Sequence, residues 1–366
     1  MDLINDFRDS EKIRALSRLI VSESRSKLNI MEVCGGHTHS IMKFGLQDIV
    51  GKHIEFTHGP GCPVCIMPRL RIDEGIELAK QKDVMFCTLA DMLRVKGSYM
   101  SLLDLRAQGQ EIVSLYSPLD VIKLAQDNPS KTIIFFAIGF ETTTPMSAVL
   151  VERILELGLK NVLLHINHVS VPEPITEILQ DKESKINALL APSHVSVITG
   201  SKIYEPIAQR FHIPIAVSGF EPVDILDSVL NLVRQANTNT HNVYNQYARV
   251  VNEYGNTKAL KLIAKYFQKC DFEWRGLGII KNSALELKDQ YTHLDARKAY
   301  DLNIKSKSEN KACICPQILK GCAKPFDCKL FGKICNPKNP VGSCMVSSEG
   351  ACAAYYKYTK RTLKYG

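Results

Sequence analysis

Seven cysteines lie within 40 residues near the end of the chain, and this density indicates metal binding: Cys313, Cys315, Cys322, Cys328, Cys335, Cys344 and Cys352. Exposed thiols without a metal would be prone to oxidation there. The segment lacks the paired C-x-x-C knuckles and the histidines of zinc ribbons and fingers. Four thiolates drawn from loops suit a cubane cluster. The spacing therefore predicts a metal centre, with an iron–sulfur cluster favoured over zinc.

A second candidate site lies in the N-terminal part, where the sequence CGGHTH begins at Cys34. Cys34 ends a predicted strand, and the two glycines after it allow a sharp turn into a helix. The N–H groups and dipole of a helix N-terminus favour a thiolate. Ligands also bind at the carboxyl ends of strands in open α/β sheets. His37 and His39 could add ligands, hydrogen bonds or proton transfer, so a functional site is predicted here.

The third candidate is a C-x-x-C motif made by Cys62 and Cys65, which lies after a strand and before a helix. In this arrangement one thiol becomes acidic and the pair can cycle between dithiol and disulfide. Half of a zinc site is an alternative interpretation, and a shared or dinuclear site with Cys34 is another. A redox pair is favoured over zinc.

The elements that must position these residues follow an alternating strand and helix pattern as far as about residue 236. The eight predicted strands are Leu28–Val33, His53–Phe56, Val84–Thr88, Glu111–Leu115, Thr132–Ile138, Val162–Ile166, Ile186–Leu190 and Ile213–Val217. Helices are predicted over Arg69–Gln81, Pro118–Ala125, Thr144–Leu157, Lys202–Arg210 and Pro222–Gln235, among others. Short β-branched strands between amphipathic helices predict parallel, doubly wound sheets.

A chain of 366 residues is expected to form more than one domain. We predict an α/β domain over residues 1–118, which carries the CGGHTH and C-x-x-C motifs, and a second over residues 119–238. The pattern then changes to polar helices, predicted over Thr238–Gly255 and Thr257–Phe267. Residues 239–366 are predicted to form a helical and cysteine-rich domain held together by its metal centre.

Composition and charge exclude several classes of protein. No apolar run approaches the roughly 20 residues that span a bilayer, and the N-terminus lacks the features of a signal peptide. We therefore expect a cytoplasmic protein without a membrane partner, in a compartment where clustered cysteines act as ligands or redox groups. The net charge of +8 is concentrated after residue 301, where 12 Lys and Arg face three acidic residues. Without an RNA-binding signature we expect no nucleic acid, and the charge suits a thiolate-ligated cluster or an acidic partner.

Nucleotide binding has no support, because neither a Gly-x-Gly-x-x-Gly nor a P-loop motif occurs. The sequence GFETTTP, which begins at Gly139, follows a predicted strand and is polar. Glu141, Thr142 and Thr143 could line a cleft. An ordinary helix N-cap explains the same residues.

Four motifs together resemble the HypD family of hydrogenase maturation factors. They are CGGHTH (Cys34–His39), HGPGCPVC (His58–Cys65), GFETT (Gly139–Thr143) and VSSEGACAAYYKY (Val346–Tyr358). They follow the family's order through nearly the whole chain. The family's cluster pattern is C-x14-C-x6-C-x16-C, and the gaps between Cys313, Cys328, Cys335 and Cys352 reproduce it. The resemblance therefore implies that these four bind a [4Fe-4S] cluster and leaves Cys315, Cys322 and Cys344 as non-ligands.

The resemblance implies a role in building the Fe(CN)2CO group of NiFe hydrogenase. The nascent iron would be held at Cys34, between this chain and the small partner HypC, while HypE delivers cyanide. The fold implied is two Rossmann-like α/β domains and a cluster domain. A low-spin iron that carries cyanide and carbon monoxide suits soft thiolate ligation. His37 and His39 could hydrogen-bond cyanide nitrogens or move protons, and a cluster joined to Cys62 and Cys65 could deliver electrons.

Two other functions compete with this assembly scaffold. An iron–sulfur-dependent protein disulfide reductase needs only the tail cysteines and the C-x-x-C pair, and it leaves CGGHTH unexplained. A zinc-stabilised binding module would use its basic tail on an acidic partner. Whether the scaffold turns over as an enzyme or only holds the iron is open at the level of sequence.

Overall fold

The computed structural model describes residues 6–308 and 310–362, and the chain divides into two compact units. Unit 1 contains the described residues of Met1–Cys62, Pro174–Asn256 and Ala312–Gly366, and unit 2 contains those of Pro63–Glu173 and Thr257–Lys311. The predicted ranges 1–118, 119–238 and 239–366 are contiguous and so differ from these units. The chain passes between the units several times, and a sequence pattern does not reveal which strands pair. Residues 1–5, 309 and 363–366 of the predicted domains lie outside the described residues.

The strands of the described residues include all eight that the sequence predicts, with ends shifted by one or two residues. They are β1 Leu28–Glu32, β2 Ile54–His58, β3 Val84–Leu89, β4 Ile112–Leu115, β5 Thr132–Gly139, β6 Val162–His168, β7 Ala188–Pro192, β8 Ile215–Ser218, β9 Val243–Asn245, β10 Phe267–Trp274 and β11 Gly278–Leu287. The last three were not predicted. Strand β9 has only three residues, too few to show a pattern, and it lies where the polar helix Thr238–Gly255 was expected.

The α-helices are α1 Ser10–Glu23, α2 Gly35–Phe44, α3 Leu46–Ile49, α4 Pro63–Ile66, α5 Arg69–Ala79, α6 Leu102–Ala107, α7 Asp120–Asp127, α8 Thr144–Glu156, α9 Pro172–Gln180, α10 Ser193–Thr199, α11 Glu205–Phe211, α12 Pro222–Asn237, α13 Thr257–Tyr266, α14 Ala296–Ala299, α15 Cys315–Leu319 and α16 Ala351–Thr362. Short 3-10 helices cover Ala90–Arg94, Lys202–Tyr204, Asp289–Leu294, Pro325–Asp327 and Ser343–Met345. The predicted helix at 257–267 is confirmed over Thr257–Tyr266. No helix in this described part of the chain is long and apolar enough to cross a membrane.

Unit 1 is built around a parallel sheet with the strand order β2-β1-β7-β8-β9. Its core joins β1 residues such as Ile30 to Ile20 of α1, Ile41 of α2 and Val229 of α12. Helices therefore cover the sheet, and its central strands β7 and β8 are buried at every position. The strand order reverses between β1 and β7, and such a switch point opens a crevice at the carboxyl ends of the strands.

Unit 2 repeats the arrangement with a four-stranded parallel sheet of order β4-β3-β5-β6. Seven of the eight residues of β5 are buried, as expected for a central parallel strand. An antiparallel hairpin of β10 and β11 belongs to the same unit. Two parallel α/β sheets followed by a cysteine-rich C-terminal region confirm the predicted fold class.

Candidate functional site

Cys34 lies at the switch point of the unit 1 sheet, where it follows the end of β1 by two residues and forms the N-cap of α2. Both residues that follow it must be glycine, because other parts of unit 1 lie too close to leave room for a side chain. A Cβ on Gly35 would come within 2.8 Å of the Glu349 carbonyl oxygen, and one on Gly36 within 2.7 Å of the Phe220 ring. The diglycine thus lets α2 start against two other segments of unit 1. The sequence predicted these glycines for a sharp turn, but neither has a positive φ.

The Cys34 thiol is held in its protonated form, contrary to the expected thiolate. Burial raises the pKa of Cys34 to about 12, and the carboxylates of Glu349 and Glu32 raise it further, while the N–H groups of Gly36 and His37 lower it. The helix N-terminus is present, but it makes no regular side-chain cap with the thiol. Desolvation and two negative charges outweigh the effect of the helix end.

Glu32 is the centre of a buried hydrogen-bond network directly beneath Cys34. Its carboxylate accepts from the Cys34 N–H at 3.0 Å and from the Thr38 hydroxyl. It also pairs with His58 Nδ1 at 2.5 Å, and His58 Nε2 lies 3.1 Å from the Tyr355 hydroxyl. A fully satisfied buried network fixes its members in one geometry. Glu32 therefore sets the position of the Cys34 backbone.

His37 is fully buried and offers one unused nitrogen. Its Nε2 lies 3.1 Å from the carbonyl oxygens of Ser218 and Gly219, and its ring packs against Phe220 with centroids 4.8 Å apart. Carbonyls only accept, so Nε2 carries the proton. Burial lowers the pKa of His37, so the ring is neutral and Nδ1 is an acceptor. Nδ1 makes no hydrogen bond to any described residue.

His39 lies on a different side of α2 and does not act together with His37. Its ring meets Tyr358 of α16 edge-on with centroids 5.1 Å apart, and its Nε2 lies 3.0 Å from the Tyr358 hydroxyl. Burial lowers the pKa of His39, and the charges of Lys357 and Lys43 lower it further. Of the two histidines of CGGHTH, His37 therefore contacts the end of β8 and His39 contacts α16.

The loop before the C-x-x-C motif lies against Cys34. The Gly35 N–H donates to the Gly61 carbonyl at 3.2 Å, and a Cβ on Gly61 would come within 2.6 Å of the Cys34 Cα. Cys62 follows at once and is 3% exposed, and Cys65 is buried within α4. Cys62 belongs to unit 1 and Cys65 to unit 2. The structure thus places Cys62 one residue after the glycine that packs on Cys34.

Gly61→Ala is expected to disrupt the Cys34 site more than the small size of the added methyl group suggests. The new methyl group would meet backbone atoms, which cannot rotate away. We expect a loss of roughly 1–3 kcal/mol in the free energy of unfolding, as for other overpacked sites. Thermal melts measure the loss. Glu156→Ala, at an exposed position at the end of α8, is the comparison. An unchanged melting temperature would contradict the close approach.

Five of the tail cysteines line one narrow cavity in unit 1: Cys313, Cys315, Cys328, Cys335 and Cys352. Its other walls are apolar, formed by residues such as Ile318, Leu330 and Phe331. All four ligands implied by the resemblance are present. The free volume is only about 10 Å³, so a cluster would take up space that the thiol groups now occupy. Cys322 is exposed and does not line this cavity.

The donor set fits a metal centre chemically. Burial raises the pKa of Cys335, and the neighbouring Cys313 and Cys315 raise it further. The hydrogen bond to Cys315 and burial raise the pKa of Cys352. Crowded thiols cannot ionise together without a cation, and iron is such a cation. The Val341 N–H already donates to Cys335 Sγ at 3.3 Å, as backbone groups do around clusters. Among the described residues, no three His, Cys, Asp or Glu side chains are grouped to hold a single metal ion.

Helix α16 connects the cysteine cavity to the Cys34 site. Cys352 lies in its first turn, and Tyr355 and Tyr358 of the same helix contact His58 and His39. Just before the helix, Glu349 packs against Gly35. The two sites that the sequence described separately are thus attached to one another within unit 1.

The polar residues of GFETT occupy unit 2 and form mainly local contacts. The hydroxyls of Thr143 and Thr144 donate to the Phe140 carbonyl rather than accept from helix N–H groups. Glu141 accepts from the Val171 N–H at 3.0 Å, and its second oxygen has no partner among the described residues. Burial raises the pKa of the Glu141 carboxyl to about 7.

Glu141→Gln is expected to stabilise the protein at pH 8 and to leave it unchanged near pH 4. The folded protein binds the Glu141 proton more tightly than the unfolded chain does. Stability is therefore lost as pH rises from about 4.5 to about 7. The amide avoids this loss, which amounts to about 3 kcal/mol. Thermal melts across this range measure it, with the exposed Glu156→Gln as control. An equal gain at both pH values would contradict the prediction.

Sequence reasoning missed Glu32, Glu349 and the two tyrosines of α16 as parts of the site. A charged residue at the end of an otherwise apolar strand was the available signal for Glu32. Glu349, Tyr355 and Tyr358 lie within the string VSSEGACAAYYKY, where only the cysteine had drawn attention.

Two parallel α/β sheets, a cysteine at the switch point of one and a cavity lined by thiols define a cysteine-rich α/β protein. The family model described as "HypD: Hydrogenase formation hypA family" matches residues 11–359. Hydrogenase maturation factor HypD of Azotobacter vinelandii is 46% identical over 99% of this chain and 98% of its own. The Escherichia coli K12 protein of that name is 41% identical over 99% of both chains. This chain belongs to the HypD family of hydrogenase maturation factors.

Proposed function

We propose that this protein is a scaffold on which the Fe(CN)2CO group of NiFe hydrogenase is assembled, with Cys34 holding the iron. The relatives are named as hydrogenase maturation factors, which supports the pathway. The observation that carries the proposal is the position of Cys34. It lies at the switch point of a parallel sheet, partly exposed, above a buried carboxylate and beside a neutral histidine.

The chemistry at Cys34 follows from its surroundings. A low-spin iron with cyanide and carbon monoxide ligands suits a soft thiolate. Because the pKa of Cys34 is raised to about 12, the thiol loses its proton only as iron binds, and iron binding strengthens as pH rises. His37 Nδ1 can accept a proton or a hydrogen bond. In this tautomer it cannot donate to a cyanide nitrogen, in contrast to the role expected from the sequence.

Electrons are the second requirement of the proposal. Cys313, Cys328, Cys335 and Cys352 would hold a [4Fe-4S] cluster, which would supply electrons to the Cys62–Cys65 pair. In support, these four cysteines line a common cavity, and α16 joins that cavity to the Cys34 site. Cys62 and Cys65 are both buried, as suits a pair shielded from other thiols.

Partners complete the scaffold. Cytoplasmic HypC would cover the iron at Cys34, and HypE would hand cyanide to this complex. The family resemblance supports both partners, and the partial exposure of Cys34 leaves the thiol within a partner's reach.

Infrared spectroscopy of the protein co-purified with HypC tests the proposal. Bands of bound cyanide and carbon monoxide are expected in the wild-type complex and are expected to vanish in Cys34→Ala. Bands that persist in that variant would place the iron elsewhere. A complex that lacks the bands but reduces disulfides through Cys62 and Cys65 would favour the disulfide reductase instead.

A further inference from the structure

We infer that Cys315 is a fifth thiol of the cluster site and that it can replace Cys313 as the ligand of one iron atom. The inference rests on the proposed cluster and adds a residue that the family's spacing leaves out. It predicts a property that a site with four thiols does not have, namely tolerance to the loss of one ligand.

The position of Cys315 in the cavity is the first observation. Cys315 begins α15 and is 5% exposed, and Ile318 of the same helix forms part of the cavity wall. The other two tail cysteines outside the family's spacing, Cys322 and Cys344, do not line the cavity. Cys315 therefore lines the same cavity as the four implied ligands.

Gly342 shows how close Cys315 is to Cys313. A Cβ on Gly342 would lie 2.6 Å from Cys315 Sγ and 2.8 Å from Cys313 Sγ. Two sulfur atoms that approach the same point so closely are near neighbours. Gly342 has φ −100°, which any residue adopts, so the glycine is required by this crowding and not by its conformation.

Contacts with the other implied ligands favour Cys315 as much as they favour Cys313. The Cys352 thiol is hydrogen-bonded to Cys315, and both Cys313 and Cys315 act electrostatically on Cys335. Cys313 is partly exposed, whereas Cys315 is buried. By geometry, either Cys313 or Cys315 can occupy the fourth ligand position.

The exchange is a substitution at iron without electron transfer. In a cubane cluster each iron takes one protein thiolate, so Cys313 and Cys315 compete for a single iron. The Cys315 thiol gives up its proton and forms an Fe–S bond, while the Fe–S bond of Cys313 breaks and its sulfur takes a proton. The charge of the cluster and its oxidation state are unchanged.

The experiment compares iron and sulfide content, visible absorption and electron paramagnetic resonance of anaerobically reconstituted variants. Cys313→Ala and Cys315→Ala are each expected to keep a cluster, with altered resonance in the first. The double variant is expected to lose at least tenfold in iron. Cys335→Ala, which has no spare thiol, is expected to lose the cluster alone, and the exposed Cys322→Ala to behave as wild type.

Loss of the cluster in Cys313→Ala but not in Cys315→Ala would overturn the inference, as would a cluster retained in the double variant. A wild-type protein that binds no iron would overturn the cluster proposal itself. Alkylation of the loaded wild-type protein needs no variant to fold. Besides the labels on exposed thiols such as Cys322, one further label divided between Cys313 and Cys315 in the mass spectrum is expected. A label confined to Cys315 would contradict exchange.

Discussion

Cys34→Ala is expected to reduce hydrogenase maturation by at least a hundredfold while the fold and the tail cluster remain intact. The change removes the thiol at the N-cap of α2, at the switch point of the unit 1 sheet. It leaves the Cys34 N–H, which donates to Glu32, and the start of α2 in place. Hydrogenase activity in a host that lacks its own HypD protein measures the effect. Iron content and thermal melts of the purified variant establish that the scaffold is unchanged.

Two variants make this result specific. Cys270→Ala removes a half-buried thiol of β10 in unit 2 and is expected to keep full maturation. Glu32→Gln keeps the shape of the buried network but weakens its pairing with His58, so a partial loss is expected. If maturation survives in Cys34→Ala, the proposal that Cys34 holds the iron is contradicted, whether or not the variant contains the tail cluster.

The strands could be predicted because helices cover both faces of parallel sheets. Such strands, like β5, are runs of apolar and β-branched residues that a sequence displays directly. Their pairing could not be predicted, since β1 lies between β2 and the distant β7. Because strands that are distant in sequence pair in this way, each unit is built from separate segments of the chain. The hairpin of β10 and β11 was missed because a bulge between Cys270 and Phe272 interrupts the alternation of buried and exposed residues in β10.

For the candidate site, the place of Cys34 at a helix start could be predicted, but its electrostatics could not. The motif CGGHTH correctly placed Cys34 at the start of a helix. Its pKa depends on Glu349, which is distant in sequence, and on burial, which a motif does not reveal. The same holds for His58, whose partners Glu32 and Tyr355 are 26 and 297 residues away. A motif places a thiol in the sequence, whereas the fold decides whether that thiol is ionised.

Cys352→Ala is expected to loosen the Cys34 site as well as to remove the tail cluster. A metal centre in a loop-rich segment contributes folding free energy, so its loss lowers the melting temperature. Because Tyr355 and Tyr358 connect α16 to His58 and His39, faster hydrogen exchange is expected in α2, Gly35–Phe44. Exchange mass spectrometry of the cluster-loaded wild type and the variant measures it.

Tyr358→Phe separates the two effects of Cys352→Ala. It removes only the hydroxyl that contacts His39 and leaves every thiol in place, so the iron content is expected to stay at the wild-type level. A modest rise in exchange near His39 is expected, smaller than that in Cys352→Ala. If α2 exchanges at the wild-type rate once the cluster is lost, then α16 holds its position without metal. The cluster would then act on Cys34 through electron supply and not through the packing of this helix.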